Sequence, residues 1–457
     1  MSVVLFKKVK EQVDRVIRLP FIKNTLKLSS SSVILMFLPL LVTPILSRLY
    51  TPAEYGDWGV FSSVFYIVIA FIFLSYENTI VKCNNKQDVP NLVLLCLLVS
   101  GVIIVGVGLF FYVGKRFNFS LCLNFPSVPL LLALLVTHVL HTITQNLANR
   151  EKLYGKMAIS SVINGVSQAV LRIAFGVWPI VTYGLIVGNL LAHVIATLFL
   201  AIFLFRVLDS RMWAQFSLKK AKDLAVEYKK FPLFDAPARF IEFAIGNLSL
   251  LIMAHFWSKD EIGSYSMVVQ FILLPITMIG SAMANVYYRE LSEQVDDPQH
   301  VAVSTKRAAK ITFFISVIPM LFLALGGDKL LVFFLGNQWA VAGKLSLCLV
   351  IYSLPVILSE PLLPIFRSLD KQEERFRLNL LCFILSIGGL IVTASLTGNI
   401  YLSVIIYASF YAFVRYLLFF RELRLAHIGI KEISPYFVII NIFSYVVLTI
   451  RLLICFK

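Results

Sequence analysis

Apolar residues run on in this chain for about twenty positions at a time without a break, as in "NLVLLCLLVSGVIIVGVGLFFYV" at 91–113. A helical run of about 20 apolar residues matches the hydrocarbon thickness of a bilayer. Inside that layer only helices and closed barrels satisfy their own backbone. Barrel strands alternate apolar with polar residues, whereas these runs are continuous, so the spans are helical. With 59% hydrophobic and 14% charged residues and a mean hydropathy of +0.85, the 457 residues cannot supply the polar surface of a soluble fold. The expected class is an all-α polytopic membrane protein.

Hydropathy places about twelve spans, at 29–47, 59–81, 91–113, 127–147, 157–178, 180–205, 238–257, 264–287, 309–326, 345–366, 376–396 and 400–420. A further run at 435–456 fits either a thirteenth span or a helix lying at the interface.

Two connectors share one design. "SRLYTPAEYGDW" at 47–58 returns as "AHFWSKDEIGSY" at 254–265, an offset of 207 residues that pairs Tyr50/Trp257, Glu54/Glu261, Gly56/Gly263 and Trp58/Tyr265. A looser echo links "FYVGKRF" after the third span with "FFLGNQW" after the ninth. A tight loop used twice implies two copies of one helical hairpin, hence internal repeats. The longest connector, 206–239, divides the chain after the sixth span. The expected organisation is an arm at 1–27, a six-helix lobe at 28–205, a basic linker at 206–237, a second six-helix lobe at 238–420 and a C-terminal segment at 421–457, with the two lobes pseudo-symmetric about an axis along the membrane normal.

The net charge of +16 could suggest nucleic acid, but the basic residues recur between apolar runs rather than in one soluble patch. Counted over alternate connectors they divide 31 to 8, which predicts a cytoplasmic N-terminus. The arm "LFKKVKEQVDRVIRLPF" sets Phe6, Val9, Val13 and Val16 on one face, as an interfacial helix on an anionic leaflet would. A signal peptide is the weaker alternative, because no small-residue cleavage site follows. The six cysteines are scattered without a CxxC, which suggests neither zinc nor a disulfide framework.

Polar side chains inside the spans fall in stripes. Ser161, Asn164, Gln168 and Arg172 share one helical face, as do His138, His141 and Gln145. Asn189 and His193 lie on the sixth span, and Gln270, Thr277 and Ser281 on the eighth. Each stripe alone is explained by helix-to-helix hydrogen bonding; together with buried arginines they point to a hydrophilic cavity. Intramembrane ionisable groups are functional candidates, and arginine offers a fixed fork to phosphate oxygens. The candidate substrate-binding residues are therefore Arg172, Gln168, Asn164, His138, His141, Gln145 and Arg415. Glu77, Glu242 and Glu360, near the rims, are candidates for a coupling ion. No metal site, catalytic set or cofactor is expected; the His138/His141 pair lacks a third ligand.

The chain resembles the Wzx-type O-antigen flippases, the oligosaccharide flippase family within the multidrug/oligosaccharidyl-lipid/polysaccharide exporter superfamily. The resemblance rests on "ILSRLYTPAEYGDWGVFSSV" (45–64), "NLANREKLYGKMAISSVINGVSQAVLRIAFG" (146–176), the stretch 231–290, "FFLGNQWAVAG" (333–343) and "PLLPIFRSLDKQEERFRLNL" (361–380). It covers about residues 28 to 420. It implies two six-helix lobes around a central cavity, alternating access, a location in the bacterial inner membrane, and oligosaccharides on polyprenyl pyrophosphate as cargo, moved from the cytoplasmic to the outer leaflet. Polysaccharide polymerase and chain-length machinery are the implied protein partners. The run at 435–456 departs from the family's usual twelve-span layout.

Two rivals come from other classes. A polymerase or ligase enzyme needs a sizeable external loop and a catalytic set, and the external connectors offer neither. A cation-coupled multidrug antiporter of the same superfamily favours acids in mid-span, where this chain has arginines.

Overall fold

The computed structural model describes residues 38–83, 85–207, 216–293, 297–433 and 437–455. The N-terminal arm with its predicted amphipathic face lies outside these residues, as does the Glu242 side chain. Among the described residues every regular element is a helix. Eight of the described helices are long and apolar enough to cross a membrane, and the chain is an all-α multi-pass membrane protein. We number the main helices α1 Leu38–Leu49, α2 Pro52–Ile69, α3 Glu77–Lys82, α4 Val89–Arg116, α5 Val128–Arg150, α6 Tyr154–Val177, α7 Gly184–Phe205, α8 Leu218–Glu227, α9 Ala236–Phe256, α10 Lys259–Glu293, α11 Pro298–Leu335, α12 Ala340–Ser359, α13 Gln372–Thr397, α14 Ile400–Leu425 and α15 Phe437–Cys455.

The helices form two compact units. Val68–Cys122 and Pro126–Pro237 belong to the first; Thr43–Ile67, Leu123–Phe125 and Ala238–Lys457 belong to the second. The first copy of the repeated hairpin thus packs with the second half of the chain. The reason is local and lies in the repeat itself.

Both repeated connectors are capping boxes. The Thr51 backbone N–H donates to Glu54 Oε2 at 2.8 Å and the Glu54 N–H to Thr51 Oγ1 at 3.3 Å, which starts α2. Ser258 and Glu261 do the same for α10, at 3.0 and 3.4 Å. The Ser/Thr-x-x-Glu spacing is what satisfies the first free donors of a helix. One turn later the two glycines meet the opposite helix. A Cβ on Gly263 would overlap the Pro52 carbonyl and fall 2.7 Å from Gly56 N, while one on Gly56 would overlap the Lys259 carbonyl. Gly59 faces Ser266, whose Oγ would stand 3.1 Å from a Cβ there.

Position 56 therefore touches 259 and 263 touches 52, while 59 touches its own equivalent 266. Such reciprocity is the signature of a two-fold relation between copies. The copies do not merely resemble each other; they pack on one another backbone to backbone, locked further by Lys259 Nζ on Asp57 Oδ1 at 2.6 Å.

The echo motif at 333–339 closes the end of α1. A helix leaves its last carbonyls without partners, and Trp339 Nε1 donates to Ser47 O at 2.8 Å while Gln338 Nε2 reaches Ser47 O and Tyr50 O. Ser47 Oγ returns a bond to Leu335 O at 3.0 Å. Trp339 is fully buried, edge-on to Tyr55.

Some spans differ from the hydropathy reading. The predicted span 59–81 is the helix α2, a break at 70–76 and the short α3. Leu74 and Ser75 adopt positive φ of 48° and 63°, although the stretch has neither Gly nor Pro to signal it. Ile72, Phe73 and Tyr76 are buried there, so tertiary packing overrides helix propensity. α11 extends the predicted 309–326 at both ends, because its polar first turns "PQHVAVSTKRAAK" are invisible to hydropathy.

Part of the linker is ordered. Ser217 caps α8, whose Ala221 and Leu224 are buried, and Lys220 pairs with Asp88 at 2.5 Å. The 435–456 run forms α15 and packs on α11 and α12. Phe437 lies against Phe313, the Tyr445 hydroxyl donates to Ile351 O at 2.7 Å, and Arg451 reaches Asp328 at 3.1 Å.

Candidate functional site

In the first unit, α7 lies against both α5 and α6, and the predicted stripes converge on it. The α6 stripe faces α7: Gln168 Nε2 donates to Asn189 Oδ1, and Arg172 Nε donates to Leu185 O at 3.1 Å. Arg172 is only 8% exposed. Its stem crosses α7 at Gly188, where a Cβ would stand 2.9 Å from Arg172 Cγ. Asn164 is half-buried on the same helix.

α7 also meets the histidines of α5. The His193 ring lies 5.8 Å from that of His141 and 6.4 Å from that of His138. Thr197 Oγ1 donates its single hydrogen to the His193 carbonyl at 2.6 Å, so it accepts from His141 Nδ1 at 3.1 Å. His193 Nδ1 can only donate to the Asn189 carbonyl, at 3.0 Å. In the neutral state both rings thus carry hydrogen on Nδ1 and a lone pair on Nε2, where Gln145 approaches His141 at 3.4 Å. Among the described residues no three His, Cys, Asp or Glu side chains are placed to hold a metal ion. The arrangement offers neutral donors and acceptors beside one buried cation.

In the second unit a cavity of about 250 Å³ is lined by Tyr265, Tyr352, Glu360, Arg375, Asn379, Tyr407, Tyr411 and Arg415, with aliphatic neighbours. Two residues of separate sequence candidacy meet here: Arg415 Nη2 binds Glu360 Oε2, with the guanidinium 5.9 Å from the Tyr411 ring centre. No acid lies within one turn of Arg415 on α14; the turn after α12 supplies its partner across 55 residues. Glu77, by contrast, is buried at the start of α3 in the first unit, near Cys96 on α4.

The sequence reading passes over the tyrosine lining, Arg375, Asn379 and the fully buried Glu422. A signal for them exists. Tyr407, Tyr411, Arg415 and Glu422 recur at spacings that keep one helical face, but the hydropathy window closes at 420, whereas α14 continues to Leu425.

A buried ion pair is costly to half-break. Arg415→Met should lower stability by about 2–4 kcal/mol, less than a fully enclosed pair because Glu360 borders a cavity. Adding Glu360→Leu should recover most of the loss. Thermal unfolding of the purified variants in detergent measures this, and a double variant no more stable than the single would refute it.

The family described as "Polysaccharide biosynthesis protein" matches residues 45–344. No curated protein matches the sequence. Among solved structures the fold is similar to the lipid II flippase MurJ in an inward closed conformation, with TM-score 0.70, 12% identity, and 93% of this chain and 97% of that chain covered. It is also similar to an inward-facing multidrug resistance MATE family transporter of the MOP superfamily, with TM-score 0.67, 15% identity, and coverage of 86% and 95%. A MOP superfamily transporter from Pyrococcus furiosus, described as having a binding pocket of reverse polarity, gives TM-score 0.58, 15% identity, and 88% and 96%. At these identities the likeness establishes a shared fold.

Proposed function

Because the chain belongs to the polysaccharide biosynthesis protein family, we propose that it is a Wzx-type flippase. Its cargo is an oligosaccharide on polyprenyl pyrophosphate, carried from the cytoplasmic to the outer leaflet of the bacterial inner membrane by alternating access. The observation that carries this reading is the buried Arg172 at the end of a polar stripe on α6. A guanidinium held in a low-dielectric wall suits a pyrophosphate, because each charge-assisted bond there is stronger than in water. The neutral amides and imidazoles around it suit sugar hydroxyls. Polysaccharide polymerase and chain-length proteins are the partners that would receive the cargo.

The test is complementation in a panel of strains, each lacking its own polysaccharide flippase. Return of surface polysaccharide in at least one strain is the expected outcome. Failure in all of them, with the protein at normal level in the membrane, refutes the reading; drug resistance instead would assign the chain to the antiporters.

The proposed orientation has the N-terminus in the cytoplasm, supported by the 31 to 8 distribution of basic residues. A cysteine placed at Glu54 or Asp260 should react with an impermeant thiol reagent outside sealed cells, and one at Lys220 should not. External labelling at Lys220 reverses the topology.

A further inference from the structure

Glu422 belongs to the last turn of α14, is 0% exposed, and has no hydrogen-bond partner for either carboxyl oxygen. A carboxylate enclosed in this way lacks both water and a donor, and burying such a charge unpaired is strongly unfavourable. Its place adds to the cost, because the C-terminal end of a helix carries partial negative charge.

The polar groups near it leave both of its oxygens without a donor. On α10, Tyr287 donates its hydroxyl hydrogen to Thr305 Oγ1 at 2.6 Å, since Thr305 already donates to Val301 O. On α14 itself, Arg421 is turned to Glu374 at 2.6 Å. The charges that act on Glu422 are Arg415, Glu360 and Arg375. Of these, Arg415 is two turns away on α14 and already bound to Glu360. Ionised, Glu422 would place a second acid in competition for that arginine; neutral, it leaves the Arg415–Glu360 pair matched one to one.

We propose that Glu422 is a proton-binding site: it carries a proton in this conformation and gives it up when the surroundings of the Arg415–Glu360 pair rearrange. The carboxyl O–H bond breaks, the proton passes to water, and the new carboxylate is stabilised by the water or guanidinium that the rearrangement admits. The site is independent of which cargo the protein moves, and it makes the second unit sensitive to proton supply.

Infrared spectroscopy of the full-length protein in lipid bilayers reads the proton directly. At neutral pH the wild type should show the carbonyl band of a protonated carboxylic acid that Glu422→Gln lacks. Uniform ¹³C-glutamate labelling should shift that band in the wild type, a measurement that needs no variant to fold. Glu422→Asp should retain a band at a different frequency. Raising the pH should remove the band reversibly, because the group exchanges its proton with water. Identical wild-type and Glu422→Gln spectra overturn the proposal. So does a band that persists until the protein unfolds, which would mark a permanently trapped acid. Neither outcome depends on complementation, so the site and the flippase reading fail separately.

Discussion

Gly263→Val should eliminate folded protein from the membrane, and Gly56→Val should do the same. At these two positions α2 and α10 approach so closely that one helix's backbone fills the space a side chain would need. The atoms met are the Pro52 and Lys259 carbonyls, which cannot turn aside as the tip of a flexible side chain can. Separating the helices would break more than one contact, because the Lys259–Asp57 pair and the Gly59–Ser266 approach belong to the same crossing. Inside a membrane, packing of small residues is a main source of helix association, because lipid is as apolar as the helices. The control is Gly106→Ala on α4, where a Cβ meets nothing within 4 Å and helix propensity improves. Membrane-fraction abundance and monodispersity in detergent are the readouts. Wild-type yields of monodisperse Gly263→Val would show that the crossing does not hold the fold together.

The ingredients of this crossing are legible in one dimension, but their meeting is not. The 207-residue offset exposes both glycines and both capping glutamates. Spacing alone cannot distinguish copies that occupy equivalent places from copies that also touch. The glycines make contact because a backbone-to-backbone approach needs a residue without Cβ, a condition visible only once two helices are placed. The helical class and the greater part of the spans follow from uninterrupted apolar runs, since a bilayer leaves few alternatives. The break at 70–76 does not follow, because no residue type there marks it.

Sites were harder to read than spans. The α6 stripe shows in the sequence because its polar residues interrupt an apolar run with helical period. The acid opposite Arg415 lies 55 residues earlier in a turn of its own, so pairing it required the fold. Glu422 escaped for a different reason: Phe419 and Phe420 are followed by Arg421 and Arg424, which look like the end of a span. Arg421 is half-buried against Glu374 and Arg424 is exposed, while Glu422 on another face of the same turn is buried. A hydropathy window averages over all faces of a helix and cannot separate them.

If the proposed function holds, Arg172→Ala should abolish transport while leaving the protein in the membrane, and Arg172→Lys should retain only part of it. Arg172 lies five residues before the end of α6, close enough to the rim for a lipid-facing arginine to snorkel. Its placement differs from that of a snorkelling side chain. It is 8% exposed, its stem rests on α7 at Gly188, and Nε is held by the Leu185 carbonyl. Anchored at Nε, the guanidinium plane is set before cargo arrives, so little side-chain entropy is lost on gripping a phosphate. Lysine keeps the charge but has neither the anchor nor the fork, and it presents a strongly hydrated point charge instead. Alanine removes the charge altogether. A snorkelling role predicts a different pattern: lysine would serve as well as arginine, and alanine would cost little. Gly188→Ala supplies a second probe, because its methyl group displaces the stem without touching the charge, and it should reduce transport as Arg172→Lys does. Surface polysaccharide in a flippase-null strain is the measure, normalised to membrane protein level. Full activity of Arg172→Ala at that normalisation would remove Arg172 from the cargo site.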